Sequence, residues 1–111
     1  MKVINFTEIQ IKNYIEKIRP PKEIREQVDI SYSIIKNTIE IFEIRPDWID
    51  EKTKINIPVA RAKYIKSRKI WRIYWLNSSD KWLPYKPSPE VNRFSDFITL
   101  LEKDTNNCFW E

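Results

Sequence analysis

Apolar residues recur first at helical spacing along this chain and then switch to strict alternation. Ile11, Tyr14, Ile15 and Ile18 fall on one helical stripe, while Lys12, Asn13, Glu16, Lys17 and Arg19 take the other positions, which predicts an amphipathic helix with one buried face. Asn5 with Glu8, or Thr7 with Gln10, has the spacing of a capping box, so the helix is expected to open there. Pro20-Pro21 ends it. Pro21 can open a short second turn over Lys22–Val28 with Ile24 and Val28 facing inward, which makes residues 5–28 the helical region.

From Asp29 the period is two, and residues 29–45 read as a strand pair. A two-residue turn at Lys36-Asn37 sets Ile34 opposite Ile39, Tyr32 opposite Ile41 and Ile30 opposite Glu43, with Phe42 and Ile44 on the other face. Pro46 and Pro58 bracket a polar stretch that reads as a long connection over 46–58, with Trp48 read as a plug for the core ahead of a surface anchor or a lid over a site. Residues 59–86 read as a three-stranded meander. A two-residue turn at Ser67-Arg68 pairs Ala60 with Trp75, Ala62 with Ile73 and Tyr64 with Trp71, so that small residues meet large ones on a packed face. The opposite face then pairs Lys63 with Arg72 and Arg61 with Tyr74. A four-residue turn at Asn77–Asp80 sets Trp75 against Trp82 and Arg72 against Tyr85, placing Trp82 in the packed face and Tyr85 on the basic one. Pro84 marks the last strand as an edge. Residues 88–111 hold a final helix capped by Asn92 or Ser88, with Phe94, Phe97, Ile98 and Leu101 as its stripe. Asn106 and Asn107 are expected to end it, and Cys108-Phe109-Trp110 to dock on the core.

The expected fold is therefore α+β: a single domain over 1–111 with one antiparallel sheet of four or five strands and the N-terminal and C-terminal helices packed on one face.

Composition narrows the chemistry. The 111 residues contain no glycine and no histidine, which removes glycine-rich phosphate loops, histidine-based triads and HExxH metal sites. The single cysteine, Cys108, has no internal disulfide partner and reads as a small buried hydrophobe. The N-terminus has charges at Lys2, Glu8, Lys12, Glu16 and Lys17 and no apolar run of leader length, and no stretch approaches a membrane span. A cytoplasmic, non-membrane protein is expected, with no cofactor and no metal.

The net charge of +4 is unevenly spread. Residues 59–87 carry eight basic side chains (Arg61, Lys63, Lys66, Arg68, Lys69, Arg72, Lys81 and Lys86) against Asp80 alone. Lys63 and Arg72 as cross-strand neighbours repel, and phosphate groups or an internal carboxylate, Glu43 or Glu90, would relieve that. With Tyr74 and Tyr85 as stacking groups on the same face, these residues form the candidate binding surface of a small non-catalytic protein. Its partner is DNA or RNA, or alternatively an acidic protein. A second polar cluster, Glu43, Arg45, Asp47, Trp48 and Asp80, raises a metal-dependent nuclease reading with Asp29 and Lys63. Glu43-Ile44-Arg45 has arginine where such a site uses lysine, and Glu43 and Arg45 two apart on a strand make an internal ion pair the simpler account. No catalytic residue is assigned.

Several spaced motifs carry a resemblance. Phe42-Glu43-Ile44-Arg45-Pro46-Asp47-Trp48, the run from Pro58 to Tyr64, Trp71-Arg72-Ile73-Tyr74-Trp75, Asp80-Lys81-Trp82, Tyr85 and Cys108-Phe109-Trp110 are together similar to the small bacterial proteins grouped as domain of unknown function 3024. The likeness spans about residues 20 to 110. Members usually carry histidine where Leu83 stands, and glycine near Asn37 and at the position of Asn107, so no role of that histidine transfers. The resemblance implies one self-contained domain and carries no activity.

Overall fold

The structure, a computed structural model, describes residues 2–105 and 108–110, with side chains from Phe6 onward. Helix α1 spans Lys2–Ile18. It does not open at a capping box; Asn5 and Thr7 both lie inside it, because nothing between residues 2 and 18 breaks a helix. Thr7 instead falls on the same stripe as Ile11, Tyr14 and Ile15 and is buried with them. Burial pushes the Tyr14 phenol up to about 12. After Pro20-Pro21 the chain makes only a single 3-10 turn, Lys22–Ile24, tied down by the Arg25 Nε donating to the Pro20 carbonyl at 2.8 Å. Ile24, expected inward, is left exposed by so short a turn.

Strands β1 (Asp29–Ile35), β2 (Thr38–Pro46), β3 (Lys54–Ile65), β4 (Ile70–Leu76) and β5 (Trp82–Pro84) form one antiparallel sheet in sequence order, and the two-residue β6 (Glu90–Val91) also pairs with β4. Helix α2 covers Phe94–Lys103. Registers in the first two hairpins agree with the alternation: Ile34 meets Ile39, Tyr32 meets Ile41, and Ala60, Ala62 and Tyr64 meet Trp75, Ile73 and Trp71. The second of these turns has four residues, 66–69, with Lys69 at φ 55°, rather than two; the parity, and hence the faces, are unchanged.

Three expectations need correction. The connection between β2 and β3 is only residues 47–53, since β2 continues to Pro46 and β3 begins at Lys54. A bulge at Val59-Ala60, opposite Ile41, absorbs one residue and puts both side chains in the core. Trp48 is no plug: it is 86% exposed at the tip of this connection. The β4–β5 register differs by one residue, with Trp75 opposite Leu83 and Leu76 opposite Trp82. Asp80 adopts φ 60°, and the Asn77 side-chain oxygen accepts the N–H of Ser79 and of Lys81 at 2.9 and 3.0 Å. The loop proper is thus Ser78-Ser79-Asp80, closed by the Asn77 N–H on the Lys81 carbonyl.

Both helices pack on the face that carries Ile39, Ile41, Ala60, Ala62, Trp71 and Ile73, where Ile11, Ile15, Phe97 and Leu101 meet them. Alanines at 60 and 62 make room for the large side chains opposite, and an aromatic chain runs Tyr64–Trp71–Phe94–Phe97 with centroids 5.0 to 5.5 Å apart. Arg93, not Asn92 or Ser88, caps α2, and its N–H donates to the Asp96 carboxylate. The helix ends with Asp104 in the left-handed region; Asn106 and Asn107 lie outside the described residues. The Asp104 carboxylate accepts the N–H of Phe109 (3.1 Å) and Trp110 (2.8 Å), which docks the tail as expected and lays Phe109 on Tyr85. Cys108 is only half-buried there, and that burial raises its thiol pKa.

Candidate functional site

The sheet face away from the helices is where the basic residues come together. Cross-strand pairing arranges it in rows. One row runs Ile35, Thr38, Lys63, Arg72, Glu90, and the next runs Ser33, Glu40, Arg61, Tyr74, Pro84. The expected neighbours Lys63 and Arg72 are adjacent, and Glu90 stands on the far side of Arg72 at 3.7 Å. The same Glu90 carboxylate takes both terminal nitrogens of Arg68 at 2.8 and 3.1 Å. Arg61 donates to Glu40 at 2.9 Å and lies 4.3 Å from the centroid of the Trp82 ring, with its Nε buried and unpartnered.

The middle of the face is therefore largely neutralised by its own carboxylates, and three of the eight basic residues are already engaged. The one-residue shift at β5 also exchanges two aromatics. Trp82 joins this face under Arg61, whereas Tyr85 turns into the core at 2% exposure, its N–H donating to Ile73. Tyr85 cannot stack on a ligand, and Tyr74 is half-buried beside Arg61. Lys81 and Lys86 are exposed on the β5 side, away from the hairpin turns.

Apart from Lys81 and Lys86, what remains uncompensated in residues 59–87 sits at one end. The β1–β2 and β3–β4 turns lie side by side there, joined by the Tyr64 N–H on the Asn37 carbonyl at 2.8 Å. That sets Lys36, at φ 56° in the first turn, on one groove with Lys63, at the same end of the sheet as Lys66 and Lys69 in the second turn. None of these four lysines has a carboxylate within 4.0 Å among the described residues. A shallow groove of about 460 Å³ opens between the two hairpins, lined by Ile35, Lys36, Thr38, Glu40, Arg61 and Lys63 among others. Lys36 was not among the expected site residues; the antiparallel pairing of two adjacent hairpins, which stacks their turns, was the signal that would have found it.

The second expected cluster does not assemble. Glu43 and Arg45 form the internal ion pair at 2.9 Å, Asp47 and Trp48 belong to the β2–β3 tip, and Asp80 occupies another turn. No group of three or more cysteine, aspartate or glutamate side chains is placed to hold a metal among the described residues. No helix among them is long and apolar enough to cross a membrane.

These features define a small α+β domain with one helix-covered and one open sheet face, the open face polarised toward its hairpin turns. The chain belongs to the family described as Domain of unknown function (DUF3024), whose profile matches residues 3–111 and so extends the resemblance over α1 as well. No curated protein and no solved structure matches it.

Proposed function

We propose that this is a small non-catalytic binding protein whose cationic hairpin end engages the phosphates of nucleic acid. The observation that carries the reading is that Lys36, Lys63, Lys66 and Lys69 share one end of the sheet, the first two lining its groove, and that none has a carboxylate in ion-pair range among the described residues. Clustered ammonium groups repel one another, and a polyanion relieves that repulsion while releasing its own counterions. With Tyr85 buried and Trp82 covered by Arg61, the face offers phosphate contacts more than base stacking, so binding is expected to depend weakly on sequence. An acidic protein is the alternative partner, since clustered lysines without a counter-charge attract carboxylates as well as phosphates. The lone Cys108, without a disulfide partner, supports a reducing cytoplasmic setting.

The test is titration of a labelled single strand and a labelled duplex at several salt concentrations, with the native chain and a Lys63→Gln, Lys66→Gln, Lys69→Gln variant. Affinity is expected to fall, and the slope of log K against log salt to shrink by about two units. All three side chains are exposed, so the urea midpoint should stay within the scatter of surface substitutions. Unchanged affinity and slope in that variant would refute the phosphate role.

A further inference from the structure

Four of the large apolar side chains left exposed lie in one stretch: Trp48, Ile49, Ile55 and Ile57. All belong to the β2–β3 arm, which runs on past its neighbours. β1 stops covering β2 at Ile44, and β4 stops pairing with β3 at Ala60. From Lys54 to Pro58 one edge of β3 therefore has no strand beside it among the described residues.

The backbone alternation shows what that edge presents. The Asp47 N–H donates to the Thr53 carbonyl, so residue 53, and by alternation 55 and 57, turn their polar groups toward β2. Residues 54, 56 and 58 turn theirs outward. Pro58 is tolerated in the strand for this reason, since the N–H it lacks would have faced the open side. The tip is held rigid by its own carboxylates: Asp47 accepts the Ile49 N–H, and Asp50 accepts from the Lys52 N–H and the Thr53 hydroxyl. Natural edges are blunted by charges that oppose a second strand, yet the one charge here, Lys54, is drawn aside to the Glu26 carbonyl at 2.9 Å and its carboxylate at 3.4 Å.

We propose that this edge pairs antiparallel with the same edge of a second copy, centred on Asn56. The inference is independent of the nucleic-acid reading. The register is self-complementary. Asn56 meets Asn56 as a hydrogen-bonded pair, the Lys54 N–H of each copy reaches the Pro58 carbonyl of the other, and Ile55 of each lies against Ile57 of the other on one face. No like charges oppose. The ladder stops at Pro58, where β4 begins, and each tip is carried past it to the end of the other copy's β4, beside Leu76. Covering Trp48, Ile49, Ile55 and Ile57 in both copies withdraws on the order of 1,000 Å², the lower bound for a specific dimer. The acidic residues around Trp48, namely Asp47, Asp50 and Glu51, disfavour an anionic lipid surface as the occupant instead.

Sedimentation equilibrium of the full chain from about 5 to 300 µM is expected to show a reversible monomer–dimer equilibrium. Asn56→Pro removes an N–H that faces away from β2, and should weaken the dimer at least tenfold, while the far-UV spectrum and the thermal midpoint measured at monomeric dilution stay close to those of the native chain. Register is read by cross-linking in a Cys108→Ser background. Asn56→Cys should oxidise to a covalent dimer, because the paired Cα atoms are about 5.5 Å apart. Lys54→Cys should not, because it meets its own copy at about 14 Å. A 13.6 kDa monomer at every concentration would overturn the proposal, leaving the arm to a different protein, or to lipid if vesicles of phosphatidylcholine blue-shift its tryptophan fluorescence. Equal cross-linking of both thiols, or a dimer that Asn56→Pro leaves intact, would overturn it too.

Discussion

Replacing Tyr85 and Trp82 in turn by alanine separates two registers that differ by a single residue. In the observed pairing Tyr85 is 2% exposed, packs on Phe109 with centroids 4.8 Å apart, and donates its N–H to Ile73 in the middle of β4. Its side chain leaves a large void when truncated, and nothing rigid can fill it; the loss is about 3–5 kcal/mol by analogy with other buried aromatics. Trp82 lies on the open face, and its main specific contact is the Arg61 guanidinium 4.3 Å above the ring. An exposed or half-exposed contact of this kind contributes about 1 kcal/mol, and water can reach Arg61 once the indole is gone. Total stability of a domain this size is about 5–15 kcal/mol; at about 10, Tyr85→Ala stands to remove roughly a third to a half of it, and Trp82→Ala about a tenth. Urea melts of the two variants, fitted with a common m-value, read the difference as a shift in midpoint. In the alternative register Trp82 shares the packed face with Trp75 and Tyr85 lies on the surface, and the order of the two losses reverses. A Trp82→Ala variant at least as destabilised as Tyr85→Ala would refute the observed pairing and the division of aromatics between faces that follows from it.

Two further outcomes follow from side chains that hold separate segments together. Asp104→Ala removes the acceptor of the Phe109 and Trp110 N–H groups and puts alanine in the left-handed region; a loss of about 2–4 kcal/mol is expected, with faster alkylation of Cys108 as the tail lifts, read by urea melts and thiol-labelling rates. The Arg19 guanidinium, bound to Asp29 at 2.7 and 2.9 Å, holds the Asp29 carboxyl below its ordinary value. A carboxyl whose folded pKa is depressed stabilises the fold above its unfolded pKa, about 3.9, and loses that contribution as pH falls through the lowered folded value. The stability difference between the native chain and Asp29→Asn is therefore expected to be full at neutral pH and to shrink only in strong acid; a difference that grows on acidification would contradict the ion pair.

The first two hairpins were legible because alternation on both strands had one consistent solution, with Ile34 on Ile39 and Ala62 on Ile73. The third was not, and the reason is specific to a chain without glycine. Left-handed backbone positions fall to Lys36, Lys69, Asp80 and Asp104, residue types that do not announce them. Asp80 in that conformation closes a three-residue loop, Ser78–Asp80, where four residues are expected, and that change by one exchanges Trp82 and Tyr85 between faces. Pro58 was misread for a related reason: proline forbids a central strand but not the open side of one that outruns its neighbour. Trp48 and Ile24 show the limit of arguing burial from hydrophobicity alone, since both are exposed among the described residues. The charge count along residues 59–87 also missed what pairing supplies, because Glu40 and Glu90 lie outside that stretch and reach Arg61, Arg68 and Arg72 only across strands.

That cross-strand compensation also accounts for where the two candidate surfaces lie. Within the sheet, Arg61 and Arg72 each have a carboxylate on an adjacent strand, and β3 from Ala60 to Ile65 has β4 along its outer edge. Both kinds of satisfaction depend on a neighbouring strand, so both fail where strands run out. At the hairpin turns there is no next row to bring an anion to Lys36, Lys66 or Lys69, and cationic charge accumulates beside the groove. On the arm no strand among the described residues meets the outward groups of Lys54 and Asn56 or covers Ile55 and Ile57, and hydrogen-bonding capacity accumulates with apolar surface. Charge without a counter-charge calls for an anion, and a strand edge without a neighbour calls for a strand. The same geometric fact, ends of a sheet with long β2 and β3 at its centre, therefore sets two different chemistries at opposite ends of those strands.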